Sequence, residues 1–179
     1  KWLINLRRLE PDMALITYSL GPDAIQRQLL EGVIDLAFLL DPPMLENLQV
    51  IEVIALKLTL VSTEPSMQID NAVQDGFVMV DWGLAHALEL QRAYPDMPEP
   101  FTRLATARLA LEYIRSAGGS AYLPLTMVNS LIRRKRLFVV KNAPVFERHA
   151  YAVFPVHSDR LVLINQALSL FTDKSSKSR

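Results

Sequence analysis

Apolar and polar positions along the chain alternate between a helical period and a strand period. A first helix is predicted up to Pro11, because apolar side chains recur at helical spacing at Trp2, Leu3, Leu6 and Leu9. The segment 14–20 that follows is apolar and suits extended structure, so it predicts a short buried strand. Pro22 and Asp23 then suit the first turn of a second helix, and Gly32 suits its end. The predicted buried stripe of this helix consists of Ile25, Leu29 and Leu30.

The same alternation continues to the end of the chain. Residues 34–40 predict a strand, and residues 48–63 predict a longer one with a break near Leu56. Further strands are predicted at 77–80, 101–104, 122–123, 137–140 and 149–154. Helices are predicted at 83–94, 107–116, 125–132 and 161–171, and a polar tail at 174–179 is expected to fray. The buried positions predicted for the two middle helices are Leu84, Leu88 and Leu90, and Leu109, Leu111 and Ile114. Strands that alternate with helices of this length predict an α/β architecture with parallel pairing.

Composition narrows the class of protein. The 179 residues contain no cysteine, which excludes a disulfide scaffold, a zinc ribbon and thiol catalysis, and is compatible with the cytoplasm. Half of the residues are apolar and the net charge is zero, which excludes disorder for the chain as a whole. No apolar run approaches the roughly 18 residues of a membrane span. Because the chain begins inside a helical pattern without an initiator Met, it is expected to be a fragment of a longer protein.

The zero net charge conceals a basic last third. Residues 121–179 carry 10 basic and 3 acidic side chains, concentrated at Arg133–Arg136. One interpretation is a patch that binds an anion or nucleic acid. The interpretation that we favour is a solvated helix end, where cations complement the negative end of the helix dipole.

Residues that could carry catalysis or hold a metal are scarce. His86, His149 and His157 lie far apart in sequence, so a metal site is not expected. The chain has no nucleophile elbow, P-loop or dinucleotide-binding glycine motif, and Gly118–Gly119 follows a predicted helix, as a helix stop does. Neither an enzyme activity nor a cofactor is therefore expected.

Three strand-to-helix junctions remain as candidate binding positions. Open α/β sheets bind ligands beyond the carboxyl ends of their strands, where helix N-termini offer unpaired N–H groups. The junctions are 19–23, 81–83 and 105–108. Every α/β protein has such junctions, and most of them bind only water. The residues alone therefore do not decide whether these junctions bind a ligand.

Five segments, in order along the chain, resemble the effector domain of the LysR-type transcriptional regulators. The most characteristic is the leucine-rich helix followed by Gly32 and then by Ile34-Asp35-Leu36, which leads into a buried strand. The segment Ser116–Pro124 resembles the glycine-containing segment of the family, although it is one residue shorter and has Ser120 in the turn. The remaining matches are Leu9–Asp12, Leu56–Val61 and His149–Val156.

The resemblance implies a periplasmic-binding-protein-like type 2 fold, with two Rossmann-like α/β subdomains joined by two crossover strands. Subdomain I would comprise residues 1–61 and 154–179 and would lack its first strand, and subdomain II would comprise residues 62–153. A small effector, such as a carboxylate or another anion, would bind in the cleft between the subdomains. The effector-binding residues implied at the three junctions are Ser19, Gly21, Trp82, Gly83, Ala105, Thr106 and Arg108. Trp82 is expected either to stack on the effector, to act as a lid or to pack the subdomain interface.

The resemblance also implies partners and location. The apolar first helix, with Trp2, Leu3 and Leu6, and the segment 14–20 would form part of a homodimer or tetramer face. DNA would be bound only through an N-terminal winged helix-turn-helix that precedes this chain, the protein would be cytoplasmic, and no membrane contact is implied. A periplasmic solute-binding protein of a transport system is the alternative, since it shares the architecture, and an enzyme of unrecognised type is the third possibility.

Overall fold

The computed structural model describes residues 2–74 and 76–172. The chain forms two compact units, the first from Lys1–Ile54 and His149–Arg179 and the second from Ala55–Arg148. The chain therefore passes from one unit to the other twice, after Ile54 and after Arg148. The helices are α1 (Trp2–Leu9), α2 (Pro22–Leu30), α3 (Ile69–Ala72), α4 (Leu84–Ala93), α5 (Ala107–Ala117), α6 (Leu125–Arg133) and α7 (Leu161–Thr172). The strands are β1 (Ala37–Leu39), β2 (Leu48–Ser62), β3 (Phe77–Val80), β4 (Thr102–Leu104), β5 (Ser120–Pro124), β6 (Phe138–Val139) and β7 (Phe146–Pro155).

Unit 1 contains a small sheet covered on both faces. Its strand order is β1-β7-β2, and β1 pairs antiparallel with β7, with Phe38 opposite Ala152. Because neighbouring residues of a strand point to opposite faces, β7 contributes to two cores. Val153 packs with Leu29 of α2, whereas Ala152 and Phe154 pack with residues of α7.

Helix α1 is attached to α7 by a cluster of aromatic rings. The indole Nε1 of Trp2 donates a hydrogen bond to the Ala167 carbonyl at 2.7 Å. The Trp2 ring stacks on Phe171 at 5.4 Å and meets the edge of Phe38 at 5.2 Å. Leu6 is buried on the same helix. Trp2 and Leu6 are thus used inside unit 1, which leaves Leu3, of the three residues expected at a dimer face, exposed.

Unit 2 contains a mixed sheet with parallel strands at its centre. Its strand order is β2-β5-β3-β4, with β6 on the other edge of β2. Strand β3 runs parallel to β4 and β5, while β2 runs antiparallel to β5 and β6. Helix α5 packs on β3, β4 and β5. All five residues of β5 are buried, which makes it the central strand of this core.

The prediction of a strand at 14–20 is wrong. All seven residues are exposed and form no strand, and Ile16 and Tyr18 are 71% and 62% exposed. A strand needs a neighbour to pair its N–H and C=O groups, and the described residues supply none for this segment. Strand β1 ends the order in unit 1, so its second edge is also unpaired among the described residues.

Several buried positions and one strand break were also predicted incorrectly. Strand β2 runs without interruption from Leu48 to Ser62, although the chain changes unit close to the predicted break. The strand expected at 34–40 contracts to β1. The structure also contains the short helix α3, which the pattern did not predict. Four leucines that were expected to be buried are exposed, namely Leu30, Leu84, Leu88 and Leu109.

The glycine pair Gly118–Gly119 and the basic run Arg133–Arg136 each lie at the end of a helix. Gly118 has φ +83° and ends α5, which confirms the helix-stop interpretation of Gly118–Gly119. The run Arg133–Arg136 is exposed at the end of α6. There the N–H groups of Lys135 and Arg136 donate to the carbonyls of Ile132 and Leu131, so the backbone itself caps the helix. The tail at 174–179 lies outside the described residues.

Candidate effector-binding site

Two of the three predicted junctions lie side by side in unit 2. Strands β3 and β4 are parallel neighbours, with Val80 opposite Leu104. The residues that follow both strands therefore lie at the same edge of the sheet, and the N–H of Asp81 donates to the Leu104 carbonyl at 3.0 Å. Helices α4 and α5 begin at this edge, so the positive ends of two helix dipoles lie next to each other.

The α4 junction, residues 81–83, is built around an internal carboxylate. Asp81 Oδ1 accepts a hydrogen bond from the Gly83 N–H at 3.1 Å. Gly83 has φ +85° and ψ 170°, a backbone conformation that residues other than glycine rarely adopt. Its carbonyl accepts the first hydrogen bond of α4, from the Ala87 N–H at 3.2 Å. Because Asp81 already places a negative charge here, an anion at this junction would meet repulsion.

Trp82 points into unit 2 rather than into solvent. Its side chain is buried, its Nε1 donates to the Tyr122 carbonyl at 3.0 Å, and its own carbonyl accepts from Arg148 Nε at 2.9 Å. The contacts of Trp82 thus lie within unit 2, whereas the sequence left open stacking on the effector, a lid or packing at the subdomain interface. An effector at the α4 junction would contact the backbone of Trp82 and Gly83 more readily than the indole ring.

At the α5 junction, residues 105–108, a threonine side chain caps the exposed N-terminus of the helix. Thr106 is the N-cap of α5, and its Oγ1 accepts from the Leu109 N–H at 3.3 Å. Ala105 and Thr106 are exposed. The Arg108 side chain is 84% exposed, and its Nε lies 3.8 Å from Glu112 Oε1. Helix geometry leaves the N–H groups of Ala107 and Arg108 without an intrahelical acceptor, so a ligand could use them.

The third junction, with Ser19 and Gly21, belongs to unit 1. Both residues are exposed, and Gly21 is the N-cap of α2 with φ −69° and ψ 157°. A Cβ added to Gly21 would meet nothing within 4 Å, so open space lies beside it. Steric crowding therefore does not explain glycine at this position.

A buried polar network behind the α4 junction was missed from the sequence. The Tyr122 hydroxyl donates to the Pro144 carbonyl at 3.2 Å and shares a 2.6 Å hydrogen bond with the Tyr94 hydroxyl. Burial, followed by the hydrogen bond to Tyr94, raises the pKa of Tyr122 well above its usual range. The polar residues of this network come from three separate chain segments, and no local spacing marks their convergence.

His86 lies beside this network and has an unusual environment. It is 1% exposed, and its ring meets the edges of Phe146 and Tyr122 at 5.0 and 5.9 Å. Burial, and secondly the nearby charge of Arg148, lowers the pKa of His86 to about 4. Its Nδ1 is buried and has no hydrogen-bond partner among the described residues. His86 is therefore neutral at pH 7.

Two cavities in unit 1 do not include any predicted site residue. One of about 370 Å³ lies on the exposed flank of α2, which as a single helix surface cannot enclose a ligand. The other, of about 260 Å³, is lined by Ile51, Glu52, Val53, Asn165, Leu168, Ser169 and Phe171. Among the described residues, no group of three His, Cys, Asp or Glu side chains could hold a metal ion. None of the described helices is long and apolar enough to cross a membrane.

These features define an α/β protein of two compact units, whose candidate binding site is made of helix starts and backbone N–H groups. The family described as "LysR substrate binding domain" matches residues 1–175, and the chain belongs to this family. It is 22% identical over 186 residues to the HTH-type transcriptional regulator HdfR of Yersinia pestis, which aligns with 99% of this chain. The chain spans 62% of the length of that relative.

Solved structures with the same fold include regulatory domains and longer chains of LysR-type regulators. A mutant regulatory domain of HypT from Salmonella typhimurium superposes with a TM-score of 0.79 at 17% identity, covering 94% of this chain and 90% of that one. Vibrio fischeri DarR, solved in complex with DNA, superposes with a TM-score of 0.70 at 16% identity and covers 95% of this chain and 63% of that one. The predicted periplasmic-binding-protein-like type 2 fold and the assignment to the LysR-type regulators are confirmed, and the transport solute-binding alternative is set aside.

Proposed function

We propose that this chain is the effector-sensing and oligomerisation part of a longer transcriptional regulator, with its effector bound at the edge of unit 2 where α4 and α5 begin. The observation that carries the proposal is the adjacency of these two helix starts, fixed by the parallel pairing of β3 and β4. Two neighbouring helix N-termini give a small polar ligand several N–H donors in one place.

The charges at this edge indicate where an anionic effector would bind. At the α4 junction, the Gly83 N–H already donates to the Asp81 carboxylate. The first turn of α5 has no acidic residue and carries the exposed Arg108. We therefore expect a carboxylate or another anion to bind at Ala105, Thr106 and Arg108, with Gly83 and the Trp82 backbone beside it. Ser19 and Gly21 of unit 1 are proposed as further contacts on the strength of the family resemblance, and substitution can test them.

The proposed partners follow from the family. Regulators of this class act on DNA, so the whole protein would contact DNA through a winged helix-turn-helix in the part of its relatives that this chain does not cover. We propose a homodimer or tetramer, a cytoplasmic location and no enzymatic activity. We also propose the two-subdomain organisation that the resemblance implies, with changes of subdomain expected within seven residues of the boundaries between units 1 and 2.

A thermal-shift screen of small carboxylates and aromatic metabolites tests the binding proposal. A compound at 100 times its Kd should stabilise the folded chain by about 2.7 kcal/mol, since binding to the native state alone shifts the unfolding equilibrium. For a chain of this size the melting temperature should rise by roughly 5–10 °C. No stabilisation by any compound in the screen would count against an effector site and favour an effector-independent regulator.

Substitutions then locate the site for any compound that binds. Arg108→Ala and Ser19→Ala should each weaken binding, and Arg92→Ala is the control because Arg92 lies in the last turn of α4, at the opposite end from the site. Loss of a charge-assisted contact at Arg108 is expected to raise Kd about tenfold or more. Equal effects of the Arg108 and Arg92 substitutions would show that binding reflects general charge rather than this edge.

A further inference from the structure

Arg148 is a buried cation at the point where the chain leaves unit 2. It lies in β7, is 8% exposed, and is the last residue of unit 2, since His149 begins the second segment of unit 1. Removing a guanidinium from water is costly, and an apolar residue of similar size would often be more stable in its place. A buried arginine at this position therefore points to a role beyond packing.

The contacts of Arg148 lead directly to the α4 junction. Its Nε donates to the Trp82 carbonyl at 2.9 Å, and both groups are buried. Trp82 is fixed in turn by its indole N–H, which donates to the Tyr122 carbonyl of β5. The hydrogen bond between Arg148 and Trp82, both buried, thus joins β7 to the backbone that leads into Gly83 and α4.

The next residue of β7 makes its side-chain contact within unit 1. Neighbouring side chains of a strand point to opposite faces, so Arg148 and His149 have different surroundings. His149 Nδ1 lies 2.8 Å from Glu52 Oε1 of β2, and Glu52 belongs to unit 1. A few residues later, Tyr151, Ala152 and Val153 pair with β1. Two consecutive side chains of β7 thus make their contacts in two different units.

We propose that Arg148 is a positioning residue that couples the α4 junction to the β1–β7 pairing of unit 1. A shift of the Trp82 carbonyl away from Arg148 would stretch this buried hydrogen bond, which is costly, unless Arg148 moves with it. Strand β7 would therefore follow movements of the junction. The inference rests on the proposed function in one respect, namely that the α4 junction borders the effector site.

A double-mutant cycle on the 179-residue chain tests the coupling without any ligand. Asp81→Ala perturbs the junction by removing the acceptor of the Gly83 N–H. Hydrogen exchange is measured by mass spectrometry in peptides that cover residues 37–39 and 151–153, for wild type, Asp81→Ala, Arg148→Met and the double variant. We expect Asp81→Ala to change exchange there by about threefold or more in wild type and not in the Arg148→Met background. No change in wild type, or the same change in both backgrounds, would overturn the inference.

Controls separate coupling from general destabilisation. Arg160→Met removes another arginine, one that pairs with Asp35 Oδ2 at 2.8 Å inside unit 1, and should leave the Asp81→Ala effect intact. Exchange in residues 58–61 of β2 reports whether unit 2 stays folded. If Arg148→Met does not fold, Arg148→Gln removes the buried charge with a smaller polar side chain and carries the cycle. A failed effector screen with an intact coupling would contradict only the effector site, and effector binding without coupling would contradict only this inference.

Discussion

Gly119 lies in a turn that packs directly on the backbone of another turn. Its φ is +114°, and a Cβ added there would lie 2.2 Å from the Gly76 carbonyl oxygen. The Ser120 N–H donates to the same carbonyl at 3.1 Å, and the Ser120 hydroxyl donates to the Ala72 carbonyl. Thr63 Oγ1 accepts from the Gly119 N–H at 3.1 Å. Because Gly119 has no side chain, the start of β5 can pack against the backbone of Gly76, just before β3.

Gly119→Ala is expected to destabilise the chain severely. The substitution combines an unfavourable φ with overlap against backbone that cannot give way, so we expect a loss of roughly 3 kcal/mol or more in the free energy of unfolding. Gly32→Ala is the matched control, because Gly32 has φ +70° but open space around its Cα, and it should cost only about 1 kcal/mol. Urea unfolding of both variants makes the comparison, and equal losses would show that the overlap with Gly76 is relieved.

His86 should make the stability of the chain depend on pH. Its pKa is about 4 in the folded protein against 6.5 in the unfolded chain. Above pH 6.5 both states are neutral and the full stability is present. As the pH falls from 6.5 towards 4 the unfolded chain takes up the proton first, so the free energy of unfolding should fall by about 2 to 3 kcal/mol by pH 4.5.

Substitution of His86 tests this pH dependence. His86→Phe should remove the loss between pH 6.5 and 4.5, while keeping an aromatic ring against Phe146 and Tyr122. His157→Asn is the control, because His157 is exposed, and it should retain the wild-type loss. Urea midpoints at pH 7 and pH 4.5 give the comparison. If the wild-type loss survives in His86→Phe, other groups are responsible for it.

At the scale of single elements, α2 shows what periodicity leaves open. Leu29 and Leu30 are neighbours in sequence and equally apolar, and either could belong to the buried stripe. In the structure Leu29 is fully buried among Ala37, Leu39 and Val153, whereas Leu30 is 46% exposed. A helix that meets its sheet along a narrow stripe buries only one of two consecutive positions.

The two leucines make a matched pair for measurement. Leu29→Ala should lower the free energy of unfolding by about 2–5 kcal/mol, because it removes buried apolar atoms and leaves a cavity. Leu30→Ala should lower it by less than about 1 kcal/mol, since the side chain is half exposed already. Chemical denaturation of the two variants decides the matter, and similar losses would contradict the orientation of α2.

At the scale of the whole molecule, several large apolar side chains of unit 1 are exposed to solvent. Leu3, Ile4, Ile16 and Tyr18 are exposed by 42, 57, 71 and 62%. Apolar surface of this kind on a folded chain commonly marks an interface. Leu3, Ile16 and Tyr18 belong to the predicted dimer face, and they remain exposed while Trp2 and Leu6 pack inside unit 1.

Self-association should depend on this surface. Ile16→Glu is expected to shift the chain towards the monomer in sedimentation experiments, because a charge at an apolar contact is costly to bury, while the free energy of unfolding of one chain changes by less than about 0.5 kcal/mol. Val162→Glu is the control, since Val162 is 73% exposed on α7, outside α1 and the segment 14–20. A monomeric wild type at high micromolar concentration, or equal effects of both variants, would argue against the face.

The sequence by itself determined the order and type of most elements, the absence of cysteine chemistry and the family. These depend on local information: apolar periodicity, proline and glycine at the ends of helices, and short motifs in order. The sequence also placed candidate residues at the α4 and α5 junctions, because strand-to-helix transitions are visible locally. It could not show that β3 and β4 are neighbours, which is what brings the two junctions together.

Only the tertiary structure decided which apolar residues are buried and which strands exist. The segment 14–20 has strand-forming residues but no pairing partner among the described residues, and backbone pairing rather than propensity makes a strand. Likewise, Trp82, His86, Tyr122 and Arg148 meet only because the α4 junction, α4, β5 and β7 come together. Such contacts join residues tens of positions apart, and their energy depends on burial and geometry that local sequence does not encode.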